Sequence, residues 1–322
     1  MTRDAPAAAG ARLLADLAAL GPYFAIDVHR AGSPPYPPWQ PLAGLIGAPD
    51  ALAARIGEVR ERLGAAAGRP AAAVEFRVAA SIVQLGLCAR LLSPVLGAAA
   101  AGRALSVDTG QARWIPALGG PFRLSLADTA VSDRAGAGPA AAAALLAGPV
   151  AQVVRAVEAM SVSPHVLWGN VASAVNGAAA MITAARPDLA TPAAETAAAM
   201  LRYPALTGTY QGRPVQDFRR RNCCLIYRLS PSAPAYCGDC VLSAPAALEL
   251  GSHAGARRVT ARYRVKSTRI TTRRRLGRLT SVKPASAKTW RLPTYSSPQV
   301  ISLPGWVIIG YASRARAPFR LA

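Results

Sequence analysis

The stretch Cys223-Cys224-Leu225-Ile226-Tyr227-Arg228-Leu229-Ser230-Pro231-Ser232-Ala233-Pro234-Ala235-Tyr236-Cys237-Gly238-Asp239-Cys240 holds four of the five cysteines of the 322-residue chain. Residues 225–229 read as a short strand, 230–234 as a turn, and Ala235-Tyr236 as the returning arm. Such a hairpin brings Cys223 and Cys224 beside Cys237 and Cys240. Adjacent residues on a strand point to opposite faces, so a local bend is needed for both members of the vicinal pair to reach one centre. Three chemistries use four clustered thiols. Disulfides need an oxidising compartment, and the N-terminus MTRDAPAAAG shows no secretory apolar run. A thioredoxin-like Cys-x-x-Cys needs a strand before it and a helix starting at it, whereas Cys237-Gly-Asp-Cys240 follows a turn and is soon followed by Pro245. A metal site with four cysteine ligands is the strongest reading, either structural zinc or a 2Fe-2S cluster with two thiolates on each iron. Zinc sites commonly use two spaced Cys-x-x-Cys knuckles, so the vicinal pair leans toward iron–sulfur, with zinc as the alternative.

Upstream, the apolar pattern is helical. Leu52, Ile56, Val59 and Leu63 are spaced by four, three and four, with Asp50 as a candidate cap. Val74, Val78, Ile82, Leu85, Cys88 and Leu92 extend the same spacing to an expected stop at Ser93-Pro94. Cys88 lies on that stripe and reads as a core residue. Further helices are expected over residues 12–20, 138–160, 164–184 and 190–201, the last with Thr191 as cap and Pro192 at its first position. Between them, Arg113-Trp114-Ile115 and Phe122-Arg123-Leu124 flank Gly119-Gly120-Pro121 and predict one or two short strands. His165 opens a helix with no second ligand at metal spacing, so it reads as a cap or packing residue. The chain contains no phosphate-binding loop, no dinucleotide fingerprint and no His-Glu-x-x-His. The uncharged runs 135–154 and 159–185 are Ala/Gly-rich and interrupted by Pro and Asn, so no membrane span is expected.

Charge divides the chain. The formal charge is +21, and the 52% hydrophobic share excludes a wholly disordered polymer. Residues 1–251 carry 21 Arg, no Lys and all 16 acids, a balance of +5. Residues 252–322 carry 13 Arg and all three lysines (Lys266, Lys283, Lys288) with no acid, a balance of +16. A basic tail of this kind attracts phosphate or an anionic membrane surface. No zinc finger, RRM or helix-turn-helix pattern accompanies it, so nucleic acid is not the expected partner.

The segment from Phe218-Arg-Arg-Arg-Asn-Cys-Cys-Leu-Ile-Tyr-Arg-Leu to Tyr236-Cys-Gly-Asp-Cys-Val-Leu242 resembles the C-terminal signature of the ferric-siderophore reductase (FhuF-like) family of 2Fe-2S proteins. Leu17-Ala-Ala-Leu-Gly-Pro-Tyr-Phe-Ala, the stretch Arg77-Val-Ala-Ala-Ser to Leu85-Gly-Leu-Cys-Ala-Arg-Leu-Leu-Ser-Pro, and Val166-Leu-Trp-Gly-Asn-Val-Ala-Ser-Ala resemble the same family. The likeness covers roughly residues 12–242. One departure stands out: twelve residues separate the cysteine pairs, against ten in the family pattern. The resemblance implies Cys223, Cys224, Cys237 and Cys240 as ligands of a 2Fe-2S cluster. It also implies one-electron reduction of a ferric siderophore, an unidentified electron donor, and peripheral contact with inner-membrane uptake machinery, while the N-terminus without a secretory apolar run makes the cytoplasm the expected place. Arg219, Arg220, Arg221 and Arg228 are candidates for electrostatic support of an anionic centre. Trp168, Asn170, Trp114 and Arg77 are candidates for a chelate surface, though each reads more readily as core packing or a helix contact. The expected fold is α+β and predominantly helical, with a small β element and a cysteine hairpin. Its expected parts are residues 1–205, a mainly helical substrate-binding region; 206–245, the cysteine motif; and 246–322, a disordered tail. The rival readings are a structural zinc protein, or a chain acting through its tail on nucleic acid or membrane.

Overall fold

Helices form where the apolar spacing demands them. The computed structural model describes residues 4–118, 120–132, 138–229, 236–242, 299–303 and 306–310. In chain order these contain α1 (Asp4–Ala19), β1 (Asp27–His29), β2 (Gln40–Pro41), α2 (Leu42–Gly47), α3 (Pro49–Ala66), α4 (Phe76–Ala100), β3 (Ala104–Leu105), β4 (Arg113–Ile115), β5 (Arg123–Ala127), β6 (Val131–Ser132), α5 (Gly138–Leu145), α6 (Ala151–Glu158), α7 (Pro164–Ala185), α8 (Ala190–Leu201), β7 (Tyr210–Gln211), β8 (Arg219–Arg220), β9 (Gln299–Leu303) and β10 (Trp306–Gly310). The fold is α+β, mostly helical with small sheets.

Helix α4 is the axis of the core. The expected stripe of Val78, Ile82 and Leu92 is buried, but so are Ala79, Val83, Leu87 and Leu91 on other faces. A helix packed on several sides has no polar face to reveal by periodicity. Its neighbours include α3, α5, α7 and α8. The expected stop at Ser93-Pro94 is overturned: α4 runs on to Ala100 with Pro94 buried inside it. Ser93 Oγ donates to the Ala89 carbonyl at 2.7 Å, within the turn that Pro94 disturbs. An internal proline costs about 3 kcal/mol. Burial of Val95 and Leu96 beyond it, at about 1.5–3 kcal/mol each, offsets that cost.

Three helical stretches, Phe76–Ala100, Gly138–Glu158 and Pro164–Ala185, are long and apolar enough to cross a membrane by length and composition. This corrects the expectation that no such stretch exists. Alanine raises mean hydropathy despite the interrupting Pro and Asn. In the fold these apolar windows are 83%, 50% and 61% buried against other parts of the protein.

The 138–160 helix is divided. A π-helical turn, Leu146–Val150, separates α5 from α6 and contains Pro149. Proline lacks the N–H of a regular turn, and the wider π turn accommodates it. Helix α3 is preceded by Ala48, so Asp50 sits in the first turn rather than capping. Helix α8 starts at Ala190 after Leu189, so Thr191 is inside it and does not cap.

The expected strands are β4 and β5, the centre of a four-stranded sheet ordered β1-β5-β4-β2. Strand β1 runs parallel to β5 with Asp27 opposite Ser125, and β4 runs antiparallel to it with Trp114 opposite Leu124. Strands of two or three residues, such as β1 and β2, are too short to leave a period. Arg90 of α4 ties this region to the core: Nε donates to Phe122 O and Nη1 to Tyr23 O, both at 2.8 Å, while Nη2 donates to Ala25 O. Burial pulls its basicity down to a pKa of about 10.

By contacts, Met1–Ala244 with Pro298–Arg314 forms one unit and Pro245–Ser297 with Ala315–Ala322 another. The second unit and the three lysines lie outside the described residues. No secondary structure was expected in the tail; β9 and β10 form an antiparallel hairpin there, with Trp306 opposite Leu303.

Replacing Arg90 with Met should destabilise the protein by about 3 kcal/mol or more, because three carbonyls lose their donor at a buried site. Urea unfolding measures this. A midpoint equal to that of the parent would show that these bonds do not support the fold.

Candidate metal centre

The cysteine segment is delivered by a two-residue ladder, β7 against β8, pairing Tyr210 with Arg220 and Gln211 with Arg219. The Tyr210 and Phe218 rings stack beside it, 5.3 Å apart at 15°. Immediately after the vicinal pair, Leu225 adopts φ 70°, a left-handed conformation rare for a residue with a side chain. Its N–H donates to Cys223 Sγ at 3.3 Å. The chain therefore turns directly after the vicinal pair and returns a backbone N–H to its first sulfur.

The expected strand at 225–229 is a 3-10 turn, Ile226–Leu229, with Ile226 and Leu229 buried. Apolar residues three apart satisfy such a turn as well as a strand, and so short a run does not separate the two. The expected turn at 230–234 and Ala235 lie outside the described residues. In the second pair, Cys240 N donates to Cys237 O at 3.1 Å and Leu242 N to Cys240 Sγ at 3.3 Å. Arg220 N donates to Asp239 O at 3.0 Å, tying β8 to this turn.

Despite the different backbone, the two pairs meet. Cys224, Cys237 and Cys240 are buried and Cys223 is half-buried. None of the five cysteines is in a disulfide. The sulfurs of Cys224 and Cys237 are 3.6 Å apart. Hydrogen bonds from Cys223 and then Cys237 pull the Cys224 thiol strongly down, and the charge of Arg220 acts in the same direction. Hydrogen bonding to Cys224 and burial push Cys223 up; Cys237 is pushed up by its bonds to Cys224 and Cys240 and by burial.

The four arginines separate in role. Arg219 donates through Nε and Nη2 to the Cys240 carbonyl at 3.2 and 3.1 Å. Arg228 is held by Glu75 at 2.6 Å and lies over the Tyr227 ring. Arg221 is exposed. Arg220 is buried and lines a cavity of about 100 Å³ between α4 and α7, together with Ile82, Leu85, Ala174, Met181, Cys224 and Cys237.

The suggested chelate surface is not assembled. Asn170 is fully buried, Trp114 lies in the core against Phe122, Trp168 packs on Tyr203, and exposed Arg77 pairs with Glu75. His165 is exposed, and its carbonyl accepts from Asn222 Nδ2 at 2.9 Å. Cys88 is buried in the core, where Gln84 Nε2 lies 3.1 Å from its sulfur and burial pushes its thiol up. The sequence reading did not single out Ser81 or Gln84, two buried polar residues of α4 that bond toward the cysteine segment or Asn170. A polar residue interrupting an otherwise apolar helix was the available signal.

Residues 220–242 match the family model described as the FhuF 2Fe-2S C-terminal domain. The match supports the likeness of this cysteine segment to the FhuF-like family. No curated protein and no solved structure matches the chain. The residues present fit the 2Fe-2S cluster that the family implies. Two thiolates on one tetrahedral metal with bonds of about 2.3 Å stand about 3.8 Å apart, close to the Cys224–Cys237 spacing. Among the described residues, no group of three or more His, Cys, Asp or Glu side chains is gathered around one point as a metal ion would require. The sulfurs instead follow one another in the order 223, 224, 237, 240 through successive contacts. A binuclear centre takes thiolates two and two, and the four cysteines supply that number. Cys223, Cys224, Cys237 and Cys240 would hold the cluster, and the N–H donors of Leu225 and Leu242 would remain on sulfur.

Cys224→Ser should abolish the native visible and EPR signals of the anaerobically reconstituted protein, while Cys88→Ser leaves both intact. Loss of the cluster only in the second variant would overturn the ligand assignment.

Proposed function

We propose that this chain is an iron–sulfur ferric-siderophore reductase, acting in the cytoplasm or at the inner face of the membrane. The observation that carries the reading is the family match across the four cysteines, supported by their convergence in the fold. The substrate would be Fe(III) held by an oxygen-rich chelator. Bound to the chain, the cluster supplies one electron at a time. The electron arrives from an external donor; the chelated Fe(III) gains it and becomes Fe(II). Hard oxygen ligands favour the smaller, more highly charged Fe(III), so the metal is released. No bond of the chelator need break, and no general acid or base is required.

The chain's own residues hold the centre and limit its contact with water. Cys224, Cys237 and Cys240 are buried, while Tyr236, Gly238, Val241 and Leu242 around them are exposed. This arrangement leaves the centre close to the surface, within reach of a docked chelate or donor. Contact with inner-membrane uptake machinery belongs to the same proposal.

The deciding experiment uses anaerobically purified protein. Treatment with dithionite should bleach its visible spectrum and produce the EPR signal of a reduced 2Fe-2S cluster. Adding a ferric siderophore should restore the oxidised spectrum and yield one trapped Fe(II) per cluster reoxidised. A colourless protein with one zinc and no acid-labile sulfide would refute the reading. So would a reduced cluster that no ferric chelate reoxidises.

A further inference from the structure

We propose that Arg220 is the positioning cation of the cysteine centre, held there by Asn170 of α7 with Ser81 and Gln84 of α4 behind it. Arg220 is 1% exposed. Its Nη2 donates to Asn170 Oδ1 at 2.6 Å, yet Nε and Nη1 are buried with no acceptor among the described residues. A guanidinium buried with two open donors is costly unless an anionic acceptor faces it. The cavity that Arg220 lines is also lined by Cys224, Cys237 and Asp239, so thiolate sulfur and the sulfide of a bound cluster join the Asp239 carboxylate as the anionic groups at hand.

The other side of the guanidinium is fixed by a buried polar chain. Asn170 Nδ2 donates to Ser81 O at 3.1 Å, Ser81 Oγ at 3.0 Å and Gln84 Oε1 at 2.9 Å. Those bonds turn Asn170 Oδ1 toward Arg220. Gln84 Nε2 in turn donates to Leu167 O at 3.2 Å. Ser81 Oγ donates to Cys224 O at 2.9 Å, so the same serine grips the ligand loop. Gly169 completes the seat: a Cβ there would lie 3.2 Å from Arg220 Nη2 and from Asn222 Cβ.

A four-thiolate 2Fe-2S centre is anionic and gains one more negative charge on reduction. A fixed cation beside it favours the reduced form and raises the midpoint potential. Asn170 acts through Arg220 and touches no reacting atom. The inference rests on the cluster assignment and does not depend on a ferric chelate as substrate.

The test is an EPR-monitored redox titration of the full chain carrying its cluster. Arg220→Gln should move the midpoint to more negative potential, and Arg220→Lys should move it less. Asn170→Asp keeps the guanidinium but pairs it with a carboxylate, so it should also lower the midpoint. Exposed Arg221→Gln should leave it unchanged. An unchanged midpoint in Arg220→Gln overturns the proposal. If Arg220→Gln takes up no cluster, an unchanged midpoint in Asn170→Asp does so. Loss of the cluster from all three buried variants alike would assign Arg220 to folding alone and also overturn it. If the midpoints shift as expected and no ferric chelate is reduced, the proposal stands while the reductase reading falls.

Discussion

The arrangement at the centre depends on one bond, from Arg220 Nη2 to Asn170 Oδ1. Four sulfurs that must become thiolates are brought into a largely apolar interior, where unbalanced negative charge is costly. The fold places a guanidinium against them, and that cation itself needs support. Asn170 supplies it from α7, Ser81 and Gln84 orient Asn170 from α4, and the close packing of these two helices holds the set rigid. The apolar core and the polar centre are consequently one construction. The helix pair that buries Leu91 and Val175 also orients the residues facing the cysteines.

The cysteine segment contributes its own strain to this arrangement. Vicinal cysteines on extended backbone diverge, and directly after them the chain turns left-handed at Leu225, whose N–H returns to the Cys223 sulfur. That conformation is costly for leucine, and it persists because the flanking backbone is fixed on both sides. Arg221 N is bonded to Thr209 O, while Ile226 and Leu229 are buried in the core. Backbone N–H groups reach sulfur at both pairs, so the surroundings of the sulfurs are set by main chain as well as by charge.

Much of this was legible in the sequence. The cysteine spacing pointed to the metal centre before any fold was known, and three- and four-residue apolar spacing located α3, α7 and much of α4. Other parts were not legible for physical reasons. Pro94 reads as a stop, yet burial on several sides carries α4 past it. Pro149 gives no hint that the chain will answer with a π turn. Ile226 and Leu229 fit a strand and a 3-10 turn equally well. Asn170 read as packing more readily than as chelate surface, but what it packs against stayed hidden because its partners are distant in sequence. Among four similar arginines, only tertiary structure distinguishes the buried one.

Those distances in sequence have a further consequence. Ser81 and Cys224 are 143 residues apart, and Asn170 and Arg220 are 50 apart. Contacts of such high order cannot form until the helices have closed the long loops between them. The short segment bearing the four cysteines therefore has all the sulfur and little of its orientation. A peptide of residues 220–242 would keep Arg220 but lose the amide that aims it, so the environment of the centre is a property of the whole helical fold.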